Sequence, residues 1–432
     1  MTTAARPDLR TGGRSSWALV TDRTFGTYFV GNLVSNCGTW LQNIAAAVVV
    51  DQLTGSAIAV GAVSMLQFSA SLLLAPWAGA LSDRVDRRVL LIAGQIISVL
   101  PAAALAVWTA AVGVEGLPGA WPVLAAAGII GIGWAISVPT MQALVPALVE
   151  PDDLEQAIAL NAITFNVARA IGPAVGATAL AALGAAATFG LNAASYVILI
   201  VALLLVRPRA VVRDRERGDG SVREGLRYVR SEPALVVLLI GVAALGFGTD
   251  PVITLAPAMA RVLGGGTPAV GWMASAFGIG AALMAFGIGT VRKWVSLPRL
   301  AVGGLILLSV GLVGWAASPN VVTGVGLLVF AGAGFLMALT GLTTELQRRV
   351  PEQFLGRVMA LWSVAFLGSR PAAALLDGVL GDTFGPRVGL ATAAAITGGA
   401  ALWVHRARHH LHIDDAPLPS APAGAAEAPP VG

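Results

Sequence analysis

The sequence predicts an all-α membrane protein of twelve transmembrane helices arranged in two pseudo-symmetric six-helix halves. Three observations lead there: composition, the recurrence of long apolar segments, and an internal repeat. Of 432 residues, 56% are hydrophobic and only 12% charged, about half the charged share of a soluble domain. Turn and charge punctuation separates apolar segments near 25–50, 57–80, 89–112, 120–147, 154–181, 186–206, 234–260, 268–291, 300–317, 321–343, 355–380 and 386–404. Each is close to the roughly 20 residues a helix needs to cross a bilayer.

Charge orients these segments. With the N-terminus inside, 23 of the 27 Lys and Arg residues fall in inner loops and tails, the side on which positive loops are retained. Arg261 and Arg387 fall outside, while Arg169 and Arg370 lie within segments. An even number of crossings places both termini in the cytoplasm, and a bacterial cytoplasmic membrane is the expected location. The net charge of +4 is thus a topological signal, and its dispersal over separate loops gives no support for nucleic-acid binding.

The expected organisation is a cytoplasmic tail (1–22), a first six-helix half (23–206), a cytoplasmic linker (207–232), a second half (233–406) and a disordered tail (407–432). The linker segment 221–230 reads either as a basic amphipathic helix lying on the inner leaflet or as solvated chain. The final stretch, "APLPSAPAGAAEAPPVG", is too poor in large apolar residues to fold.

The repeat appears when the second half is slid over the first by 201 residues, aligning "VEPDDLEQAIALNAITFNVAR" with "VPEQFLGRVMALWSVAFLGSR". Arg169 then meets Arg370, and Phe165 meets Phe366. An arginine near the bilayer centre costs at least about 2.5–3.5 kcal/mol, so it faces water, an opposite charge or backbone carbonyls. Helical spacing aligns Asn161, Phe165, Arg169, Gly172 and Gly176 on one stripe, and Trp362, Phe366, Arg370 and Asp377 on its counterpart. Both stripes are candidate cavity walls, a helix-to-helix tie being the alternative. Asn32, Asn36, Thr39 and Asn43 form a third stripe on the first segment.

Asp250, in "GVAALGFGTDPVITLAPAMA", is the acid most clearly inside a segment and the candidate for proton coupling, against a capping role at the Pro251 break. Asp51, Glu345 and Asp377 sit nearer segment ends and rank below it. No histidine lies in a segment: His405, His409, His410 and His412 crowd the tail, where a solvated stretch is expected rather than a metal site. The single cysteine, Cys37, excludes a disulfide framework. Neither a cofactor nor a catalytic constellation is expected, so the chain does not read as an enzyme.

"GALSDRVDRRVLL" (79–91), between the second and third segments, resembles the Gly-x-Leu-x-Asp-Arg signature of the major facilitator superfamily, with Asp86 where the superfamily often has glycine. Gly79 permits close helix approach and Asp83 can cap or pair at helix ends. Arg84, Arg87 and Arg88 fix the loop inside and are candidates for a gating latch with Asp152 or Asp153. Together with "NVARAIGPAVGA" and "ELQRRVPEQFLGRVMAL", this looks like the enterobactin-exporter-like, transmembrane secretion effector branch. The resemblance spans about residues 20–405. It implies the major facilitator fold, a central cavity, and proton-coupled export of a drug, siderophore or other natural product by alternating access. Gly172, Pro173 and Gly176 resemble the antiporter motif of exporters, though Ala177 replaces its last glycine and the fourth segment lacks the arginine many such antiporters carry. Expected partners are the small-molecule substrate, protons and the bilayer, with the protein a monomer. An importer or facilitator on the same fold, or a non-transporting receptor, stays open.

Overall fold

The computed structural model describes residues 14–206, 208–209 and 222–410, without side-chain placement at 71, 75–80, 82–84, 222–223, 352–353 and 408–410. Eleven helical segments among these residues are long and apolar enough to span a membrane. One of them, Pro151–Leu205, is 55 residues long, about 80 Å at 1.5 Å per residue and more than twice a bilayer core. Gly184 divides it at φ 82°, a conformation that only glycine adopts without penalty. The chain reverses there, so the eleven segments make twelve passes.

We label the passes α1 (Phe25–Thr54), α2 (Ala57–Arg84), α3 (Arg87–Val112), α4 (Trp121–Leu144), α5 (154–183), α6 (185–205), α7 (Pro233–Thr249), α8 (Thr267–Val291), α9 (Leu297–Ala317), α10 (Val321–Arg349), α11 (Glu352–Phe384) and α12 (Pro386–His410). Polar residues placed just before apolar runs start several of them. Ser56 caps α2, Asp86 caps α3 through the Arg88 and Val89 amides at 2.9 and 3.1 Å, and Asn320 caps α10. Asp86, the departure from the superfamily signature, is therefore a helix cap. At Asp250, α7 gives way to two short helices, Pro251–Thr254 and Ala256–Val262.

α12 runs to His410, four residues into the stretch 407–432 expected as tail; residues 411–432, including His412, lie outside those described. The N-terminal tail carries a short helix, Ser16–Val20, and Arg14 fastens it by donating from its backbone N and Nε to Asp153, at 2.6 and 2.7 Å. The linker forms a helix at Val222–Ser231. It docks on α11, with Tyr228 stacked on Phe354 at 4.4 Å and Arg357 paired with Glu224 at 3.1 Å. Val229 is buried in that contact, while Leu226 stays exposed.

The halves meet along α2–α11 and α5–α8. Glycines permit the closeness: a Cβ on Gly278 would strike the Arg169 carbonyl, and one on Gly271 the Ala177 side chain. Ser275 on α8 also donates structure to this seam, its Oγ accepting the Ala174 amide at 2.7 Å. At the end opposite the arginine-rich loops, Arg261 pairs with Asp51. There Asp382 of α11 accepts hydrogen bonds from Ser56 Oγ and the Ala57 and Ile58 amides, at 2.5, 2.6 and 3.2 Å. One half thereby caps a helix of the other.

Asp382→Ala removes that cap, worth about 1 kcal/mol, and should open this end roughly fivefold more often. The check is the alkylation rate of a cysteine at Ser64, in a Cys37→Ser background. Gly278→Val should lower thermal stability by about 1–3 kcal/mol through overpacking, read as a fall in melting temperature of the detergent-solubilised protein.

Candidate functional site: a cavity between the halves

A cavity of about 680 Å³ lies between the halves at mid-depth, walled by residues of α1, α3–α8, α10 and α11. Towards the basic end its wall includes Met141, Gln142, Val145 and Ile158. The inter-half ion pair and hydrogen bonds described above lie from mid-depth to the other end. The cavity is therefore sealed at one end and reached from the arginine-rich one.

The residues singled out in the sequence largely converge here. Asn32, Asn36, Thr39, Asn161, Phe165, Arg169, Trp362, Phe366 and Arg370 all line the cavity. Asn43, one turn further along α1, is not in its wall, because the stripe drifts away from the cavity as α1 approaches the sealed end. The amides also do structural work. Asn32 Nδ2 donates to Asn161 Oδ1 and Thr164 Oγ1, at 3.0 and 3.2 Å, and Asn36 donates to Asn32 Oδ1 at 2.8 Å. These bonds tie α1 to α5. A second chain that sequence reasoning missed, Ser35 to Gln95 to Ser137 at 3.3 and 3.1 Å, ties α1 to α3 and α4.

Each buried arginine lies on an aromatic ring from the opposite half. Arg169 on α5 stands 4.9 Å from the Phe335 ring of α10, which packs on Phe277 of α8 at 5.6 Å. Arg370 on α11 stands 3.8 Å from the Phe68 ring of α2, which packs on Trp134 of α4 at 5.8 Å. A guanidinium on a desolvated aromatic face gains about 2 kcal/mol or more. The repeat reaches these supports in part: Trp134 and Phe335 are also 201 residues apart, while Phe68 and Phe277 correspond to Ala269 and Pro76.

The two arginines differ in their acids. Asp250 Oδ1 lies 3.8 Å from Arg370, and Asp250 Oδ2 accepts from Thr254 Oγ1 at 2.6 Å. Asp250 is fully buried and stands behind Arg370, outside the cavity wall. Arg169 has no ion-pair partner among the described residues. Its Nη2 reaches Asn166 Oδ1 at 3.4 Å, and its buried Nε has no acceptor. A cation without a counter-ion therefore faces the cavity.

The helix 5 motif acts through packing. A Cβ on Gly172 would come within 2.6 Å of Trp40 Cβ, and one on Gly176 within 2.7 Å of the Leu41 Cα, so both glycines seat α5 on α1. Pro173 lies between them, its carbonyl against Gly271 of α8. In the stretch before the α2–α3 turn, the surroundings of Gly79 and the side chains of Asp83 and Arg84 lie outside those described. Arg87 donates to the Ala143 carbonyl at 2.8 Å, and Arg88 to the Leu203 and Leu204 carbonyls at 2.5 and 2.6 Å. These two arginines hold the ends of α4 and α6, while Asp153, one of the two expected latch acids, is taken by Arg14. On the adjoining loop Arg209 pairs with Glu150 and holds its carboxyl below the usual carboxylate range.

A family model for transmembrane secretion effectors matches residues 14–423. The enterobactin exporter EntS of Salmonella typhi is 29% identical over 393 residues, covering 85% of this chain and 89% of that protein. The EntS of Citrobacter koseri is 30% identical over 394 residues, covering 85% and 88%. Among solved structures, the nucleoside transporter NupG superposes with a TM-score of 0.74 at 12% identity, covering 89% of this chain and 98% of NupG. A bacterial homologue of the human lysosomal transporter Spinster, inward-facing and occupied, gives 0.72 at 14% identity, covering 94% and 99%. Fold, cavity and family model agree: this chain belongs to the transmembrane secretion effector family and has the major facilitator fold.

Proposed function

We propose that the chain exports a small organic molecule across the bacterial cytoplasmic membrane by proton-coupled alternating access, with both termini in the cytoplasm. The observation that carries this reading is a cavity between two pseudo-symmetric halves, sealed at one end and holding an uncompensated guanidinium. The names of the relatives support export and make enterobactin the first substrate to test. The charge bias of the loops supports placing the arginine-rich end in the cytoplasm, so the sealed end faces outward and the structure corresponds to the inward-facing state.

Substrate then enters from the cytoplasm onto a wall of aromatic rings and amides. Trp40, Phe165, Trp362 and Phe366 offer faces for a flat apolar body, Asn36 and Gln142 offer amides, and Arg169 offers a cation. This combination suits an aromatic molecule with an anionic or strongly accepting edge. Rocking of one half against the other closes the basic end and parts the contacts of α1 with the two short helices after α7 and those of α2 with α11. Protonating Asp250 neutralises the counter-ion of Arg370, so the charge held at the α7–α11 contact changes with proton occupancy, which is the link between gradient and conformation.

In inside-out vesicles with an imposed proton gradient, wild type should accumulate enterobactin and Asp250→Asn should fall to the gradient-free level. Equal gradient-driven uptake by the two would remove Asp250 from coupling, and uptake confined to right-side-out vesicles would make the protein an importer. Arg169→Gln should weaken enterobactin transport about tenfold or more, the scale of one charge-assisted hydrogen bond, and spare the cationic dye ethidium. An equal loss for both probes would show that the guanidinium holds helices rather than substrate.

A further inference from the structure

A proton site made of Asp250 alone leaves one buried acid without a role. Asp377 sits on α11, seven residues beyond Arg370, which is two helical turns nearer the sealed end. It is only 2% exposed, and its Oδ2 has no hydrogen-bond donor. The charge within its electrostatic reach is Asp250, another carboxyl. Among the described residues no cation forms an ion pair with it.

The surrounding elements do not supply one. The first eighteen residues of α2, which pack on this part of α11, carry no charge. On α12, Arg387 donates to the Ser318 carbonyl at 3.2 Å. Arg261, beyond α7, is engaged by Asp51. On α11 itself, Arg370 faces Asp250 and Asp382 is occupied by the start of α2. Glu224 and Arg357 pair with each other at the far, basic end. Across the seam on α5, Arg169 faces the cavity and Phe335.

With two buried carboxyls and one paired guanidinium, this part of the fold cannot hold both acids ionised without a bare negative charge in an apolar medium, an arrangement that proteins avoid by binding a proton. The guanidinium does not release its own. Both acids keep one buried oxygen without a donor, but Asp250 has the Thr254 hydroxyl on its other oxygen and the Arg370 guanidinium 3.8 Å away to stabilise a carboxylate, and among the described residues Asp377 has no such cation. We infer that Asp250 and Asp377 form one two-carboxyl proton site, in which Asp377 carries the proton while the sealed end is closed and Asp250 stays ionised against Arg370.

The order of the groups makes a route. A proton from water on the opened outer side adds to a carboxylate oxygen of Asp377 and is trapped when the end seals. Its O–H bond then breaks as a new one forms on Asp250, leaving Asp377 ionised. The neutral Asp250 no longer holds Arg370, and the proton leaves Asp250 for cavity water on the inner side. No electrons are transferred and one proton moves inward.

This inference rests on the exporter reading for its transport consequence only, so its primary test is independent of transport. The full-length protein in lipid nanodiscs would be examined by infrared difference spectroscopy at neutral pH. Wild type should show the carbonyl stretch of a neutral carboxylic acid that persists in Asp250→Asn and is lost in Asp377→Asn. Asp377→Asn mimics the protonated acid and should melt like wild type, whereas Asp250→Asn strands Arg370 and should melt lower. Should Asp377→Asn fail to fold, Asp377→Glu serves instead, and the band should move rather than vanish. Gradient-driven enterobactin uptake by Asp377→Asn should drop at least tenfold, with gradient-free exchange of the same probe retained. A wild-type spectrum without the neutral-acid band, or a band unchanged in both Asp377 variants, overturns the inference. Loss of gradient-driven uptake in wild type itself would overturn the exporter reading while the infrared result still decides the proton site.

Discussion

The arrangement of this protein depends on one constraint: two guanidinium groups must be kept in the middle of an apolar slab without being wasted as structural debris. Each is held by an aromatic ring of the opposite half, Arg169 by Phe335 and Arg370 by Phe68. An arginine that reaches across a seam requires the two halves to face each other at that depth. The cavity, the close α5–α8 and α2–α11 approaches, and the glycines that permit them all follow from that requirement. Breaking either contact would leave a cation in low dielectric with less to stabilise it, which is why a state change must provide water or a new partner in exchange.

The pseudo-symmetry is complete in scaffold and incomplete in charge. Arginines and helix positions repeat, yet among the described residues only Arg370 has a carboxylate beside it. The asymmetry fits the proposal that the halves do different work. The first half presents a bare cation and an amide-rich wall to the cavity, suited to holding a substrate. The second half carries Asp250 and Asp377, the acids buried within passes that the proposed proton site uses. A single cavity touched by both is where the two kinds of occupancy can influence each other, since the arginines repel across it.

Much of this was legible in the sequence, for physical reasons that can be named. The twelve passes follow from apolar run length, and the reversal at Gly184 from a glycine between two such runs. The meeting of Asn32, Asn161, Phe165, Arg169, Phe366 and Arg370 at one cavity follows from helical spacing combined with the 201-residue repeat. What was not legible depends on which helix lies beside which. Nothing in the sequence pairs Asp250 with Arg370 across 120 residues, places Phe68 under a guanidinium, or buries Asp377, which lies near a segment end yet is 2% exposed. Asn43 shares a stripe with Asn36 but leaves the cavity, because a straight helix carries a stripe past a cavity of limited depth. Arg87 and Arg88 looked free to seek acids, and helix-end carbonyls took them first.

The central claim is that the inter-half contacts at the sealed end are one of two alternatives, exchanged for closure at the basic end. Spin labels at Thr54 and Val262 report the sealed end, and labels at Glu155 and Gln347 the basic end, in the full-length protein in nanodiscs. Distance distributions by pulsed electron resonance should show two populations at each pair, the longer sealed-end distance rising with the shorter basic-end distance as pH and enterobactin are varied. A single distance at both ends, unmoved by either, would contradict alternating access in this protein.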